Sequence, residues 1–288
     1  MINRDKLPYI ENILSLHNDN VDLTEAHKII TSIKNDRFIT FLRLITTNIH
    51  SMDLFKTIVP EILEGEKEGN LHQFYTNLLK ITNPKLDIDY LSNVLLATRR
   101  FKDRQEDILD SFSPNQMTSK TELLDAIDKF IISTELDEVT IFGSWYGSVL
   151  VPKLQNKFSR INCIDLDKTS LRIAKNTLFE NIDNIEYIEG DVFKKDLKRY
   201  QYTKLFVNTS CEHMPAMSTW PYWNTLRHEF YFAFQSNNMF GIEGHVNCVN
   251  SIDEFKDQLP ERAEVLYEEE IEDTRGTRYM LVGKFMPL

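Results

Sequence analysis

Residues that could carry ligand chemistry begin with the turn from Gly143 to Gly147, which follows an apolar stretch and precedes a helical pattern. Glycine tolerates positive φ and close backbone approach, and the N–H groups that open a helix attract polar ligand groups. About twenty residues later, Asp165 ends a second apolar stretch, where a carboxylate suits a ribose diol. Together the turn and the carboxylate predict a nucleotide-like ligand.

Further polar groups follow the third and fourth apolar stretches of the same region. Asp191 follows the third within Glu189-Gly190-Asp191-Val192, and Asn208 follows the fourth, shortly before Glu212 and His213. An imidazole titrates near neutral pH, so His213 suits a general base, with Glu212 to orient it or to bind an acceptor amine. The same pair also suits the capping of a following helix.

Other candidate ligand residues lie on either side of these stretches. Gln235, Ser236, Asn237 and Asn238 end a fifth strand, and their amides suit polar recognition of a substrate. Lys120, with Gln116, opens the helix before the first strand, where it offers a cation to an anionic ligand group or remains on the surface. Trp220 either forms a wall of the acceptor pocket or packs in the core.

The elements that must position these residues differ between the two parts of the chain. Residues 1–112 show apolar spacings of three and four with almost no glycine, which predicts an all-α N-terminal domain. Residues 113–288 alternate strands and helices, which predicts a mostly parallel sheet. The strands are expected at Val139–Phe142, Arg160–Ile164, Ile185–Ile188, Lys204–Val207, Tyr231–Phe234, Ala263–Ile271 and Thr277–Phe285, and the helices at Tyr146–Gln155, Thr169–Asn181 and Ile252–Gln258.

Composition and charge exclude several classes of binding partner and location. A formal net charge of −11 argues against binding to duplex nucleic acid, which needs a basic face. The chain has no apolar run of about 20 residues and no signal-peptide pattern, so we expect neither a membrane span nor export. Three widely spaced cysteines predict no disulfide framework and a reducing, cytoplasmic location, and no paired His or Cys spacing indicates a metal site. The oligomeric state stays open.

The order of these signals, over about residues 113–288, resembles the class I S-adenosylmethionine-dependent methyltransferases. The resemblance implies a Rossmann-like sheet of seven strands, mostly parallel, with an antiparallel terminal pair. It assigns cofactor binding to the first turn, to Asp165 for the ribose and to Asp191 for the adenine. The loop that begins at Asn208 is expected beside the methyl group. The implied cofactor residues are Gly143, Ser144, Trp145, Tyr146, Gly147, Asp165, Asp191, Val192 and Asn208, to which we add Lys120.

The first turn departs from that family's usual pattern. The family has an acidic residue followed by three alternating glycines, whereas here Trp145 and Tyr146 stand between Gly143 and Gly147. The two aromatic residues either cover the cofactor or fill the gap beneath the N-terminal domain.

The resemblance implies methyl transfer from S-adenosylmethionine to an acceptor that is a small molecule, a nucleotide or a protein. His213 and Glu212 are the expected catalytic residues, and Gln235, Asn237 and Trp220 the expected substrate-binding ones. A nicotianamine-synthase-like transfer of an aminocarboxypropyl group is a second interpretation, and a non-catalytic cofactor-binding protein is a third. The sequence around Cys211 lacks the signatures of cytosine-C5 and exocyclic-amine DNA methyltransferases.

Overall fold

The computed structural model of the protein describes residues 88–131, 136–194, 200–273 and 275–287. These residues fall into two compact units that divide between Pro114 and Asn115. In the first unit, helix α1 (Ile88–Arg100) is followed by a 3₁₀ turn (Lys102–Arg104) and helix α2 (Gln105–Asp110). The helices predicted before residue 88 lie outside the described residues, so the all-α domain of residues 1–112 stays a prediction.

The second unit is built on one sheet of seven strands in the order β3-β2-β1-β4-β5-β7-β6. Strands β1 to β5 are parallel, and β7 runs antiparallel to both β5 and β6. This confirms the predicted sheet and its antiparallel terminal pair. The strands are β1 (Glu138–Phe142), β2 (Arg160–Asp165), β3 (Ile185–Glu189), β4 (Leu205–Asn208), β5 (Phe230–Asn237), β6 (Ala263–Asp273) and β7 (Gly276–Phe285).

The core explains why the strands form in this order. Strands β1 and β4 are buried at every position. Strand β4 is an apolar run that ends in Asn208, whereas in β1 the buried side chains of Glu138 and Thr140 hydrogen-bond to Thr203. A buried cluster rich in aromatic side chains lies in the described part of the chain and includes Phe142, Phe206, Trp220, Trp223, Phe232 and Phe234. Within it the indole N–H of Trp223 donates to the carbonyl of Met217 at 2.5 Å, so its polar atom is satisfied.

The helices of this unit are α3 (Pro114–Phe130), α4 (Leu150–Leu154), α5 (Lys168–Ile173) and α6 (Ile252–Lys256). The prediction of a helix from Tyr146 to Gln155 is wrong at its start, because Trp145 and Gly147 have φ of 48° and 65°. A right-handed helix excludes positive φ, so helix α4 begins only at Leu150.

Helix α5 is also shorter than the predicted Thr169–Asn181. Asp167 caps it, with its carboxylate accepting the N–H groups of Thr169 and Ser170, and it passes into a π-helical turn, Ala174–Leu178. Among the described helices, none has the length and apolar character needed to cross a bilayer.

Candidate functional site at the carboxyl edge of the sheet

The candidate site lies where the parallel strands end. The register pairs Phe142 of β1 with both Ile164 of β2 and Asn208 of β4, so the turns that follow these strands share one edge. Strands β2 and β3 lie on one side of β1, and β4 and β5 lie on the other. The strand order therefore reverses between β1 and β4, which is the point where open α/β sheets bind ligands.

The turn after β1 has three residues in the left-handed region. Gly143 has φ of 56°, Trp145 of 48° and Gly147 of 65°, and Trp145 is the single non-glycine residue with positive φ in the described ranges. A Cβ atom at Gly143 would lie 2.8 Å from the Cε atom of Met214, on the loop after β4. The φ of Gly143 favours glycine at this position, whereas the flexible end of Met214 could shift to accommodate a Cβ atom.

Asp165 holds the strained turn in place. Its Oδ2 accepts the backbone N–H of Trp145 at 2.6 Å, and its Oδ1 accepts that of Asp167 at 2.8 Å. Burial raises the pKa of this carboxyl, and the two backbone N–H donors oppose the shift. A carboxylate has about four acceptor directions. The N–H groups of Trp145 and Asp167 do not fill them all, so acceptor capacity remains for a hydroxyl of a ligand.

The aromatic residues of the turn have different surroundings. Tyr146 is 1% exposed, whereas Trp145 keeps part of its surface accessible, and their ring centroids are 5.0 Å apart. The burial of Tyr146 shows that this side chain packs within the protein. Near the turn, burial raises the pKa of the Cys163 thiol to about 12, and the neighbouring Ser144 hydroxyl opposes the shift.

The loop after β3 adjoins the loop after β2. The N–H of Gly190 donates to the carbonyl of Asp165 at 2.9 Å, which joins the two loops. Asp191 accepts the N–H of Phe193 at 2.9 Å and pairs with Lys194 at 3.2 Å. Leu166, directly after Asp165, is 73% exposed and adds apolar surface that the sequence interpretation missed. The feature of the sequence that could have identified Leu166 is an apolar residue immediately after the carboxylate that ends the strand.

Two of the residues expected near the ligand are buried within the protein. Val192 is 5% exposed, and its carbonyl accepts the indole N–H of Trp220 at 3.3 Å. Trp220 is 2% exposed and belongs to the aromatic cluster. Its position favours the packing role that the sequence left open.

The loop after β4 begins at a buried amide. Asn208 is fully buried, and its Oδ1 accepts the N–H of Ser210 at 2.9 Å. Its side-chain N–H group faces the sulfur atoms of Met214 and Met217 at 3.4 and 3.6 Å. A sulfur atom is a weak acceptor, so this amide keeps donor capacity for a stronger one.

The end of β5 carries buried polar atoms that lack partners. The side-chain N–H of Gln235 donates to the carbonyl of Ser119 at 2.8 Å, and Oδ1 of Asn237 accepts the N–H of Met239 at 2.9 Å. Within the described ranges, Oε1 of Gln235, Oγ of Ser236 and Nδ2 of Asn237 have no hydrogen-bond partner. An unsatisfied buried group costs about 1–3 kcal/mol, so polar ligand groups would bind here favourably.

Opposite charges meet beside this polar cluster. Glu212 is 4% exposed, and its burial raises the pKa of its carboxyl against the charges of Arg278, His213 and Lys120. Nη1 of Arg278 lies 3.9 Å from Glu212, and its Nε lies 3.3 Å from Asp273. The sequence interpretation missed Arg278, although a basic residue before the apolar run from 279 to 282 was a visible signal.

Lys120 is held on the same side of the site. Its ammonium group donates to Oε1 of Gln116 at 2.6 Å, one helical turn earlier in α3. Its positive charge is one of those that oppose the raised pKa of Glu212, on the loop after β4.

Two imidazole rings complete the site. His213 and His245 contact each other edge to face, with ring centroids 4.6 Å apart. Nδ1 of His213 lies 2.9 Å from the carbonyl of Gly244, and this contact orients the ring. The sequence had predicted that role for Glu212. Nδ1 of His245 lies 3.1 Å from the carbonyl of Met239 and 3.5 Å from the sulfur of Cys248.

Comparison with known proteins finds matches among solved structures. No protein-family model matches the chain, and no curated protein matches it. The N-methyltransferase NodS from Bradyrhizobium japonicum WM9 is 14% identical, with a TM-score of 0.49 over 61% of this chain and 99% of that chain. An S-adenosylmethionine-dependent methyltransferase from Aquifex aeolicus is 15% identical, with a TM-score of 0.45 over 58% and 93%. TrmK from M. capricolum, solved with S-adenosylhomocysteine, is 12% identical, with a TM-score of 0.40 over 57% and 68%.

Proposed function

We propose that the protein transfers the methyl group of S-adenosylmethionine to an acceptor bound beside Glu212. The observation that carries this proposal is the tie between the left-handed turn after β1 and Asp165. The Asp165 carboxylate holds the Trp145 N–H at 2.6 Å at the reversal of the strand order, and it keeps acceptor directions unused. This is a ribose-binding carboxylate joined to a turn that allows close approach of a ligand.

The residues around the turn fit the parts of this cofactor. In the proposal, the backbone from Gly143 to Gly147 approaches the methionine part, and Lys120 offers a cation to its carboxylate. Asp165 accepts the ribose hydroxyls. Asp191 accepts the adenine amino group, while the exposed side chain of Leu166 contacts a face of the base. Trp145, which keeps accessible surface above the turn, covers the cofactor.

Bound S-adenosylmethionine supplies an activated methyl group, so the protein must align a nucleophile and exclude water. The buried polar atoms at the end of β5, on Gln235, Ser236 and Asn237, provide directional contacts to an acceptor. Methyl transfer forms a bond from carbon to the acceptor as the carbon–sulfur bond breaks and its electron pair stays on sulfur. The acceptor's proton passes to His213 or to water.

The cofactor assignment is tested by Asp165→Ala. Calorimetric titration with S-adenosylhomocysteine should show affinity at least about tenfold weaker, because the ribose hydroxyls lose a charged acceptor whose hydrogen bonds contribute about 1.5–3 kcal/mol. Asp167→Ala is the matched control. It removes the cap of α5 at a cost of about 1 kcal/mol in stability but no proposed ligand contact.

The two variants should therefore separate binding from folding, with unfolding temperatures recorded for both. Unchanged affinity in a folded Asp165→Ala protein would remove the basis of the cofactor assignment. Equal losses of affinity in the two variants would show that loop stability, and not the ribose contact, controls binding.

Product analysis decides which group is transferred. Release of S-adenosylhomocysteine on incubation with candidate acceptors means methyl transfer, whereas methylthioadenosine means aminocarboxypropyl transfer. Tight cofactor binding without either product would indicate a regulatory or assembly protein. The net charge of −11 favours small molecules, nucleotides and proteins as the first acceptors to test.

A further inference from the structure

Three potential metal ligands converge beside the proposed acceptor. A carboxylate oxygen of Glu212 and one ring nitrogen each of His213 and His245 all lie within 4.8 Å of one another. Glu212 and His213 lie on the loop after β4, whereas His245 lies on the loop after β5. The chain spacing predicted no metal site, because residues from two separate loops have no paired spacing in the sequence.

Backbone carbonyls select the tautomer of both imidazole rings. Nδ1 of His213 lies 2.9 Å from the carbonyl of Gly244, and Nδ1 of His245 lies 3.1 Å from that of Met239. A carbonyl can only accept a hydrogen bond, so each Nδ1 carries a proton, and in the neutral ring Nε2 then has the lone pair that a metal ion binds. Metal-binding histidines have this arrangement, in which a second contact selects the tautomer and orients the ring.

Glu212 supplies a buried acceptor that lacks a donor. Its Oε2 has no hydrogen-bond partner in the part of the chain that the structure describes. Arg278 approaches the other oxygen only to 3.9 Å, beyond hydrogen-bond distance. A buried carboxylate is costly unless it is paired or coordinates a metal, so a cation at this position would stabilise it.

The two loops that carry these ligands are tied together. The backbone carbonyl of Glu212 accepts the N–H groups of Val246 and Asn247 at 2.8 and 3.0 Å. These hydrogen bonds hold the segment that follows His245 against Glu212. The convergence of the three side chains is therefore supported by the backbone and does not depend on side-chain conformation alone.

We propose that Glu212, His213 and His245 bind one divalent transition-metal ion. Two imidazole nitrogens and one carboxylate oxygen suit Mn²⁺, Fe²⁺, Co²⁺ or Zn²⁺ better than Mg²⁺ or Ca²⁺, which prefer oxygen ligands alone. Three protein ligands leave at least one coordination position for water or substrate.

Metal binding at this site does not require methyl transfer. Where the proposed function also holds, an open position binds an oxygen or nitrogen of the acceptor and lowers its pKa, as metal ions do for bound water. His213 is then a ligand and not the base, and the acceptor's proton passes to solvent.

The experiment uses the full chain without a histidine tag, stripped of metal with a chelator and then titrated with Mn²⁺ and with Zn²⁺. Electron paramagnetic resonance follows free Mn²⁺, and calorimetry follows Zn²⁺. We expect one equivalent to bind, and Glu212→Gln, His213→Ala and His245→Ala each to lower the affinity at least about tenfold. His228→Ala is the matched control and should leave the affinity unchanged, because Nε2 of His228 lies 2.9 Å from the carbonyl of Thr203, at the opposite edge of the sheet from the three ligands.

Absence of binding by the wild-type protein would overturn the proposal, as would unchanged affinity and stoichiometry in folded His213→Ala and His245→Ala proteins. Unfolding temperatures without metal identify any variant that fails to fold, and His245→Asn then replaces His245→Ala. All measurements are made without S-adenosylmethionine. Failure of the metal site and failure of cofactor binding, tested through Asp165→Ala, are therefore separate results.

Discussion

Glu212 is the residue at which burial and charge act most strongly on the candidate site. Its side chain is 4% exposed, and burial is the largest cause of its raised pKa. A carboxyl with a raised folded-state pKa favours folding at low pH, below the unfolded value of about 4.3. This contribution is lost as the pH rises through the folded-state pKa, because the buried group must then ionise.

The first prediction follows from this loss of stability with rising pH. In metal-free buffer, Glu212→Gln should gain stability relative to the wild type as the pH rises from about 4 towards neutrality. Urea unfolding at a series of pH values measures the difference in unfolding free energy between the two proteins. A difference that is constant with pH, or that grows in favour of the wild type, would contradict the raised pKa. Added Zn²⁺ should stabilise the wild type alone.

Asp165 links residue chemistry to the structure of the turn. Its carboxylate accepts the N–H of Trp145, which lies in the left-handed region where a bulky residue costs about 1–2 kcal/mol. The same carboxylate is the proposed ribose ligand. Asp165→Ala therefore affects both the turn and the cofactor, which is why its test needs the Asp167→Ala control and a measurement of folding.

At the scale of elements, strand β7 depends on a glycine that packs between its neighbours. A Cβ atom at Gly283 would overlap the backbone carbonyl of Glu264 in β6 and the ring of Phe232 in β5. Both neighbours are constrained, Glu264 by the strand ladder and Phe232 by the aromatic cluster. Only glycine lets β7 join β5 to β6 at this point.

We expect Gly283→Ala to lower the free energy of unfolding by about 2–3 kcal/mol, within the range for overpacked cores. Gly241→Ala is the control, because a Cβ atom there has nothing within 4 Å, although its φ of 82° adds strain of about 1 kcal/mol. Denaturant unfolding measures the free energy of unfolding of both variants, and so compares the steric cost at Gly283 with the conformational cost at Gly241. A Gly283→Ala protein as stable as Gly241→Ala would show that the strands adjust.

At the scale of the whole molecule, the cofactor and the metal ion should each stabilise the folded state. A ligand at 100 times its dissociation constant contributes about 2.7 kcal/mol, because it binds the folded protein alone. S-adenosylhomocysteine and Zn²⁺, added separately, should each raise the unfolding temperature by several degrees.

The two effects should respond to different variants. Asp165→Ala should lose the shift caused by S-adenosylhomocysteine and keep that caused by Zn²⁺, and His245→Ala should do the reverse. Differential scanning fluorimetry measures all four combinations. Loss of both shifts in either variant would contradict the assignment of the ligands to separate groups of residues.

The sequence alone determined the sheet and most of the polar residues at its edge. Strand β4 is recognisable because a central strand of a parallel sheet is nearly all apolar, and β1 because Val139, Ile141 and Phe142 favour a strand. Residues that end such strands, among them Asp165 and Asn208, are placed at the carboxyl edge by the strand direction itself. Local periodicity and strand direction are encoded over a few residues, so they can be predicted without the fold.

The tertiary structure alone decided which side chains meet. The left-handed φ of Trp145 moved the start of α4 to Leu150, and it is supported by the distant Asp165 carboxylate. Arg278 reaches Glu212, and His245 reaches His213, only because β7 and the loop after β5 pack against the loop after β4. These contacts join residues far apart in the chain, and their energies depend on burial that no local pattern contains.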